Sequence, residues 1–458
     1  MLRLRATIVI SLVLVLILAA CAPIPAAAPP ASEGEAAQAP EAAEAQAEAP
    51  AEATTSEEVV TITYLAGNWW DPKLEELIEM FEAENPNIQV EPEYFPFNQL
   101  FEQIQVRLGA NSPDPDVLMV DVPLVAGYGL RDWLLPLDDI YTGEERADFL
   151  EAALEAGSYN GNLIAAPLQT STQLLFYNAD LFEKAGITPP GQDERWTYEQ
   201  IAEVAPKLTF DEDGDGVTDI WGFTWEQTDR IYQLQPMPES LGGDAIGEDG
   251  LTVDGVINSQ PWIDAFTYYS DMFNVLKAAP QDDTVGASDL FATGKLSMYI
   301  AGPWNIGNNL MDADFNWGVS RHPYFEGGDI VTPTGSWHIG VNKNSDQVEA
   351  ATRFVHFMTT GEGAEKFWRL DQNLPAQKSV LALYETDPAF NEFPLSAHRV
   401  SADEATVNPV PRAVSPGFLE YEQILQDTFS DIRNGADVTE ALNLAAERIE
   451  SEMAKYRR

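Results

Sequence analysis

The sequence predicts an α/β protein whose folded body divides into two lobes. Between Val59 and Val120, short runs of strand-forming residues alternate with helical stripes. Residues 59–458 are too many for one hydrophobic core and ordinary for two. With 45% hydrophobic and 10% aromatic residues the chain is neither disordered nor fibrous.

The elements come in order along the chain. Val59–Leu65 is β-branched and aromatic, as a strand requires. Asp71 suits a helix N-cap and Pro72 the first helical position, and Leu74, Leu77, Ile78 and Phe81 repeat at helical spacing until Asn85-Pro86 ends the run. A strand at Ile88–Val90 and a helix around Gln99–Leu108 come next. Val117–Val120 is apolar throughout, as a strand covered on both faces would be. Strand, helix, strand, helix, strand predicts a parallel sheet with right-handed crossovers. Gln173–Asn178 and Leu296–Ile300 read as further strands. Three helical stripes complete the chain: Ala351, Phe354, Val355 and Met358, ended by Gly361; Tyr421, Leu425, Thr428 and Ile432, ended by Gly435; and Leu442, Ala445, Ile449 and Met453.

Charge and cysteine usage narrow the function. Lys+Arg 25 against Asp+Glu 74 leaves a net charge of −49, which repels phosphate backbones and anionic headgroups and argues against nucleic-acid binding. A single Cys rules out an internal disulfide framework or a thiolate-clustered metal site. Arg3 and Arg5 precede an apolar run from Ile8 to Leu18 that is too short for a membrane span, so residues 1–21 read as an export signal. Its end, Leu18-Ala19-Ala20-Cys21, resembles the lipobox of bacterial lipoproteins. That resemblance implies cleavage before Cys21, lipid attachment there, and anchorage to the outer face of the cytoplasmic membrane. Residues 22–58 are almost entirely Ala, Pro, Glu and Gln, unable to bury a core, and make a tether reaching roughly 30–40 Å if flexible.

Three segments resemble the extracellular sugar-binding proteins of bacterial ABC importers, the maltose-binding-protein-like family. They are Phe176–Ile187 (FYNADLFEKAGI), Trp196–Gln200 (WTYEQ) and Gly294–Trp304 (GKLSMYIAGPW). The resemblance implies two hinged lobes with ligand in the cleft between them. It divides the chain into an N-terminal lobe of 59–170 with 335–372 and a C-terminal lobe of 171–334 with 373–458. It implies a monomer that captures a di- or oligosaccharide and delivers it to membrane permease subunits, with no enzymatic activity and no organic cofactor.

In open α/β sheets ligands sit beyond the carboxyl ends of strands. Asp121 directly follows Val117–Val120, where a carboxylate can accept hydrogen bonds from sugar hydroxyls. Trp69 and Trp70 come after the first strand, and one of them can stack on the apolar face of a sugar ring. Trp304 and Trp337 match positions where the family puts aromatic platforms. Arg412 resembles an arginine that some members fork onto sugar oxygens. Gln169 and Thr170 face the cleft in the implied fold, and Glu226 lines the second lobe. Where the maltose binder carries a carboxylate in this first crossing, Ser171 stands here, so its sugar preference does not carry over.

A separate constellation is Asp211, Asp213, Asp215, Val217 and Asp219, with Gly216 sixth, which reproduces the front of a calcium loop. The twelfth position is Gly222, so the usual bidentate Glu is missing. Some family members carry structural Ca²⁺ in a similar loop. Other readings of the whole chain are an exported glycoside hydrolase using two carboxylates, or the same fold holding a peptide, polyamine or compatible solute. His322, His338, His356 and His398 show no metal spacing, and no nucleophile elbow or phosphate loop is present.

Overall fold

The computed structural model describes residues 59–335, 337–407 and 409–457. The export signal, Cys21 and the 22–58 tether lie outside the described residues. The first strand, β1 (Val60–Gly67), buries Tyr64, Leu65 and Ala66 and runs two residues further than expected. A turn at Asn68–Trp70 then occupies the approach to helix α1 (Lys73–Glu84). Pro72 is therefore the N-cap, one place earlier than the first helical position expected for it. The predicted stripe Leu74, Leu77, Ile78 and Phe81 is buried.

β2 (Ile88–Phe95) is longer than the apolar Ile88–Val90 because it pairs with β1 residue for residue, from Val60 opposite Ile88 to Gly67 opposite Phe95. Helix α2 (Phe97–Gly109) leads to β3 (Val117–Asp121), buried along its whole length and parallel to β1.

The chain leaves this lobe through β4 (Ala166–Pro167) and builds a second sheet from β5 (Leu174–Asn178), β6 (Thr224–Trp225), β7 (Met298–Ala301) and β8 (Trp317–Ser320), in the order β8-β5-β7-β6. After β9 (Thr332–Thr334) it returns as β10 (Trp337–Val341), completing a first sheet ordered β2-β1-β3-β10-β4. β11 (Pro409–Pro411) pairs parallel to β9. Parallel pairing among the described strands thus covers β2, β1 and β3, β6 with β7, and β9 with β11, but neither main sheet is parallel throughout. The returning β10 runs antiparallel to β3, and β5 runs antiparallel to both β7 and β8.

The helices complete each lobe. α3 (Gln260–Asn274) covers the second lobe and α4 (Trp304–Asn309) comes directly after β7. α5 (Val348–Thr359) and α6 (Gly361–Asp371) pack on the first lobe, where Phe354 meets Tyr64 and Phe81 at 5.5 and 5.1 Å between ring centres. Gly361, expected only to end a helix, marks a break from which the next begins. Backbone bonds from Leu150 to Ala376, and from Ser379 to the Asp148 carboxylate, keep the chain with the first lobe slightly beyond residue 372. α7 (Phe418–Arg433) and α8 (Val438–Met453) pack on α3, with Phe429 stacked 4.2 Å from Phe266.

No helix among the described residues is long and apolar enough to cross a membrane.

Candidate functional site

The carboxyl ends of β1, β3 and β7 and the segments that cross between the sheets converge on a cleft of about 280 Å³. Its volume is at the lower end of what small-molecule sites usually offer. Among the described residues the lining combines six aromatic side chains with ten polar or charged ones, a mixture suited to a ligand with both an apolar face and hydroxyls.

On the first-lobe side, β1 ends at Gly67 and the chain folds Trp69 back over it. A methyl carbon at Gly67 would lie 2.2 Å from the Trp69 ring, so only glycine leaves room for the indole. The ring lies 5.3 Å from Trp337 and 5.8 Å from Phe97. Trp70 is fully buried with its edge toward Phe367 at 5.0 Å, yet still borders the cleft. Trp337 opens β10 directly opposite Asp121 on β3 and lies nearly parallel to Phe101 at 6.2 Å. This wall is held by aromatic packing, each pair adding about 0.5–1.5 kcal/mol beyond area burial.

On the second-lobe side, β7 ends at Ala301, Gly302 follows it, and Trp304 opens α4. Here too the indole folds over a glycine, a methyl carbon at Gly302 falling 2.0 Å from the Trp304 ring. Trp304 Nε1 donates to Glu226 Oε1 at 2.6 Å, and its ring faces Tyr232 at 6.4 Å. The Tyr232 and Ser171 hydroxyls are hydrogen-bonded at 2.9 Å, and Ser171 Oγ accepts the Gly335 N–H at 3.0 Å, tying two crossing segments together.

Among the described residues three cations line the cleft, each with its own carboxylate. Arg412 forks onto Asp121, with Nη1 to Oδ2 at 2.9 Å and Nη2 to Oδ1, both residues buried. Arg230 Nη2 meets Glu422 Oε1 at 2.6 Å, while its guanidinium lies 4.4 Å from the Phe97 ring of the opposite lobe. Lys73 Nζ bonds Asp371 Oδ1 at 3.1 Å and reaches Asn308 Oδ1 across the cleft at 3.4 Å. Burial raises the Asp121 carboxyl from its ordinary value and Arg412 opposes that rise; Asp121 in turn raises the guanidinium against its own desolvation.

Trp69, Trp70, Asp121, Gln169, Trp304, Trp337 and Arg412 all line this cleft. Two expected residues do not. Thr170 is not part of the lining; its backbone N–H donates to Leu374 O at 2.8 Å, and its neighbour Ser171 takes the lining position. Glu226 stands behind Trp304, where the needs of the Trp304, Asn305 and Gly302 N–H groups draw its carboxylate, and borders an adjoining cavity of about 270 Å³. Desolvation raises its pKa against the hydrogen bonds that lower it. Asp121 and Arg412 are bonded to each other, a pairing that takes two of the five guanidinium N–H groups and one acceptor position on each carboxylate oxygen.

Phe97, Gln227, Arg230 and Tyr232 also line the cleft, and the sequence pattern does not reveal them. Phe97 obeys the same strand-end rule as Asp121, but the apolar run shows β2 only as far as Val90. The others come after β6, which at two residues leaves no readable hydropathy pattern.

In the Asp211–Asp219 loop the carboxylate oxygens of Asp211, Asp213 and Asp215 lie within 4.8 Å of one another. Backbone bonds between Phe210 and Ile220 close the loop, and Gly214 and Gly216 take positive φ of 78° and 88°. Those three side chains suit a hard cation. Asp219 is drawn away, Oδ2 accepting the Glu212 N–H at 2.8 Å. Val217 N donates to Asp215 Oδ1, and Gly222 packs so tightly against Ala205 that no side chain fits at the twelfth position.

Two lobes enclosing a cleft with aromatic platforms and polar groups, with crossing segments as its floor, define a solute-binding protein. Residues 65–365 match the family of bacterial extracellular solute-binding proteins, and the chain belongs to it. It is 23% identical over 366 residues to the maltodextrin-binding protein of Bacillus subtilis, covering 78% of this chain and 83% of that one. It is 23% identical over 299 residues to the sn-glycerol-3-phosphate-binding periplasmic protein of Rhizobium meliloti, covering 63% and 67%. Among solved structures it is similar to a Listeria monocytogenes ABC substrate-binding protein in complex with cycloalternan, at 25% identity and a TM-score of 0.76, over 87% of this chain and all of that one.

Proposed function

We propose that this protein captures a neutral carbohydrate, a di- or short oligosaccharide, and presents it to the membrane subunits of an ABC importer. The observation that carries the reading is the pair of indole platforms, Trp69 with Trp337 from one side and Trp304 from the other, bordering one cleft. Relatives named for maltodextrin and for a phosphate ester make charge the deciding question. Among the described lining residues, every Lys and Arg is already matched by a carboxylate, so a phosphate would be desolvated without an unpaired cation to receive it. That costs several kcal/mol even for one buried ion. A sugar needs only hydrogen bonds and a flat apolar surface.

Closure arises from differential affinity: a ligand that touches both walls stabilises the arrangement in which both walls reach it. Titration with maltose, maltotriose and sn-glycerol 3-phosphate, followed by tryptophan fluorescence and melting temperature, tests this. Saturation at about 100 Kd adds about 2.7 kcal/mol of stability. A response to the phosphate ester alone, or to none of the three, overturns the proposal.

The protein acts as a binder and not as a hydrolase. Asp121 and Asp371, the carboxylates of the cleft lining, are each committed to a cation, which supports this. Turnover of chromogenic glycosides would contradict it.

Three further parts of the proposal rest on sequence and local geometry. A lipid on Cys21 holds the protein at the outer face of the cytoplasmic membrane, and Cys21→Ser releases it from the membrane fraction. The protein works as a monomer, which sedimentation at micromolar concentration checks. The convergence of Asp211, Asp213 and Asp215 supports a structural Ca²⁺ held by these carboxylates, where it would supply loop rigidity. A melting temperature that drops on chelation in the native chain but not in Asp213→Ala tests that site.

A further inference from the structure

We propose that Glu226 is a positioning residue: it fixes the Trp304 indole in the orientation in which the second wall meets a ligand, without touching the ligand itself. The inference rests on the cleft being the binding site.

Oε1 of Glu226 accepts from Trp304 Nε1 at 2.6 Å, from Asn305 Nδ2 at 2.7 Å and from Ser288 Oγ at 3.3 Å, and Oε2 accepts from Gly302 N at 3.1 Å. One carboxylate thus grips the edge of the indole and the backbone on which the indole lies. The clamp is itself anchored, because Glu226 N donates to Ile300 O at 2.9 Å, beside the end of β7. Gly302 forms the seat beneath the ring, and any Cβ there would displace it.

An indole attached through two torsions would otherwise be free to swing, and each rotamer would present a different surface to the cleft. Charge-assisted bonds to a carboxylate are short and about twice as strong as neutral ones, so this clamp is a strong one. Four donors converge on the carboxylate, three of them on Oε1. It also explains why an acid at this position stands behind the wall and not in it.

A double-mutant cycle with maltotriose as probe separates positioning from a general structural effect. Glu226→Ala in the native background should weaken maltotriose at least tenfold. In a Trp304→Phe background, where the ring has no N–H to hold, the same change should weaken it less than twofold. Glu226→Gln keeps an acceptor and should fall between. Equal losses in both backgrounds overturn the proposal.

A second readout needs no ligand. The Trp304 indole N–H resonance, assigned by its disappearance in Trp304→Phe, should shift and exchange faster with solvent in Glu226→Gln. An unmoved resonance refutes the clamp. If the native protein binds no sugar at all, the cargo reading fails while this resonance still decides whether Glu226 holds the ring.

Discussion

The two walls of the cleft begin alike and are held differently. On one, Gly67-Asn68-Trp69 closes β1; on the other, Gly302-Pro303-Trp304 closes β7, and in both the indole lies over the glycine two residues before it. The first indole is then fixed by packing among Trp70, Phe97 and Trp337. The second is fixed chiefly by hydrogen bonds that end on the Glu226 carboxylate. Packing is non-directional and spread over several partners, so losing one ring leaves the rest to hold. A hydrogen-bonded clamp is directional and concentrated in one side chain. The first wall should therefore degrade gradually under substitution and the second abruptly.

The largest effect expected lies on the first wall but outside its aromatic packing. Asp121→Ala leaves the Arg412 guanidinium buried and unmatched, and should cost about 3–5 kcal/mol in denaturant unfolding. Replacing both partners by Leu and Met should recover most of that loss, which would show that the damage comes from the orphaned charge.

The next concerns His338, the residue after Trp337, whose ring is bonded to Ala153 O at 2.9 Å. Burial pushes its pKa down to about 4. Unfolded, it titrates near 6.5, so between these values the unfolded chain binds the extra proton. Its stabilisation is complete above pH 6.5 and declines as the pH falls toward 4, by about 2 kcal/mol at pH 5. His338→Gln should flatten that part of a pH series of melting curves.

The comparison itself is sharpened by Gly302→Ala and Gly67→Ala. Each forces its indole from its seat, at a cost in stability of about 1–3 kcal/mol for Gly67→Ala, where other rings pack on that indole. Gly302→Ala should lose maltotriose affinity with a small change in melting temperature. Gly67→Ala should lower both, because displacing Trp69 disturbs the rings packed against it. Similar profiles for the two variants would break the distinction between the walls.

The smallest effect belongs to Asn308→Ala, which removes the 3.4 Å contact from Lys73 and leaves the Lys73–Asp371 pair. Thermal unfolding should change by less than about 0.5 kcal/mol.

Much of this site is readable from strand ends. Asp121 is the last residue of one buried strand, Trp69 and Trp70 stand just past the end of another, and finding them needs only a visible hydropathy run. The rule fails for Phe97 because β2 continues through Glu91, Pro92 and Glu93, whose strand geometry is dictated by pairing with β1 and not by their own character. It fails for Gln227, Arg230 and Tyr232 because Thr224–Trp225 is too short to carry a period. The roles of Asp121 and Arg412 are hidden for another reason. They stand 291 residues apart, and nothing local records that each is the other's partner. The sequence places Glu226 near the ligand, but it offers no sign of which side of Trp304 the carboxylate takes.

The segments that carry the chain between the lobes contribute Gln169, Ser171, Gly335 and Trp337 to the lining, and Arg412 comes after β11 beside them. In the closure proposed above, whatever settles in the gap rests on the same stretches of backbone that would bend. A solute of the wrong shape would spoil the bending as well as the fit, so the selection of cargo and the signal that cargo has arrived are written into the same few residues.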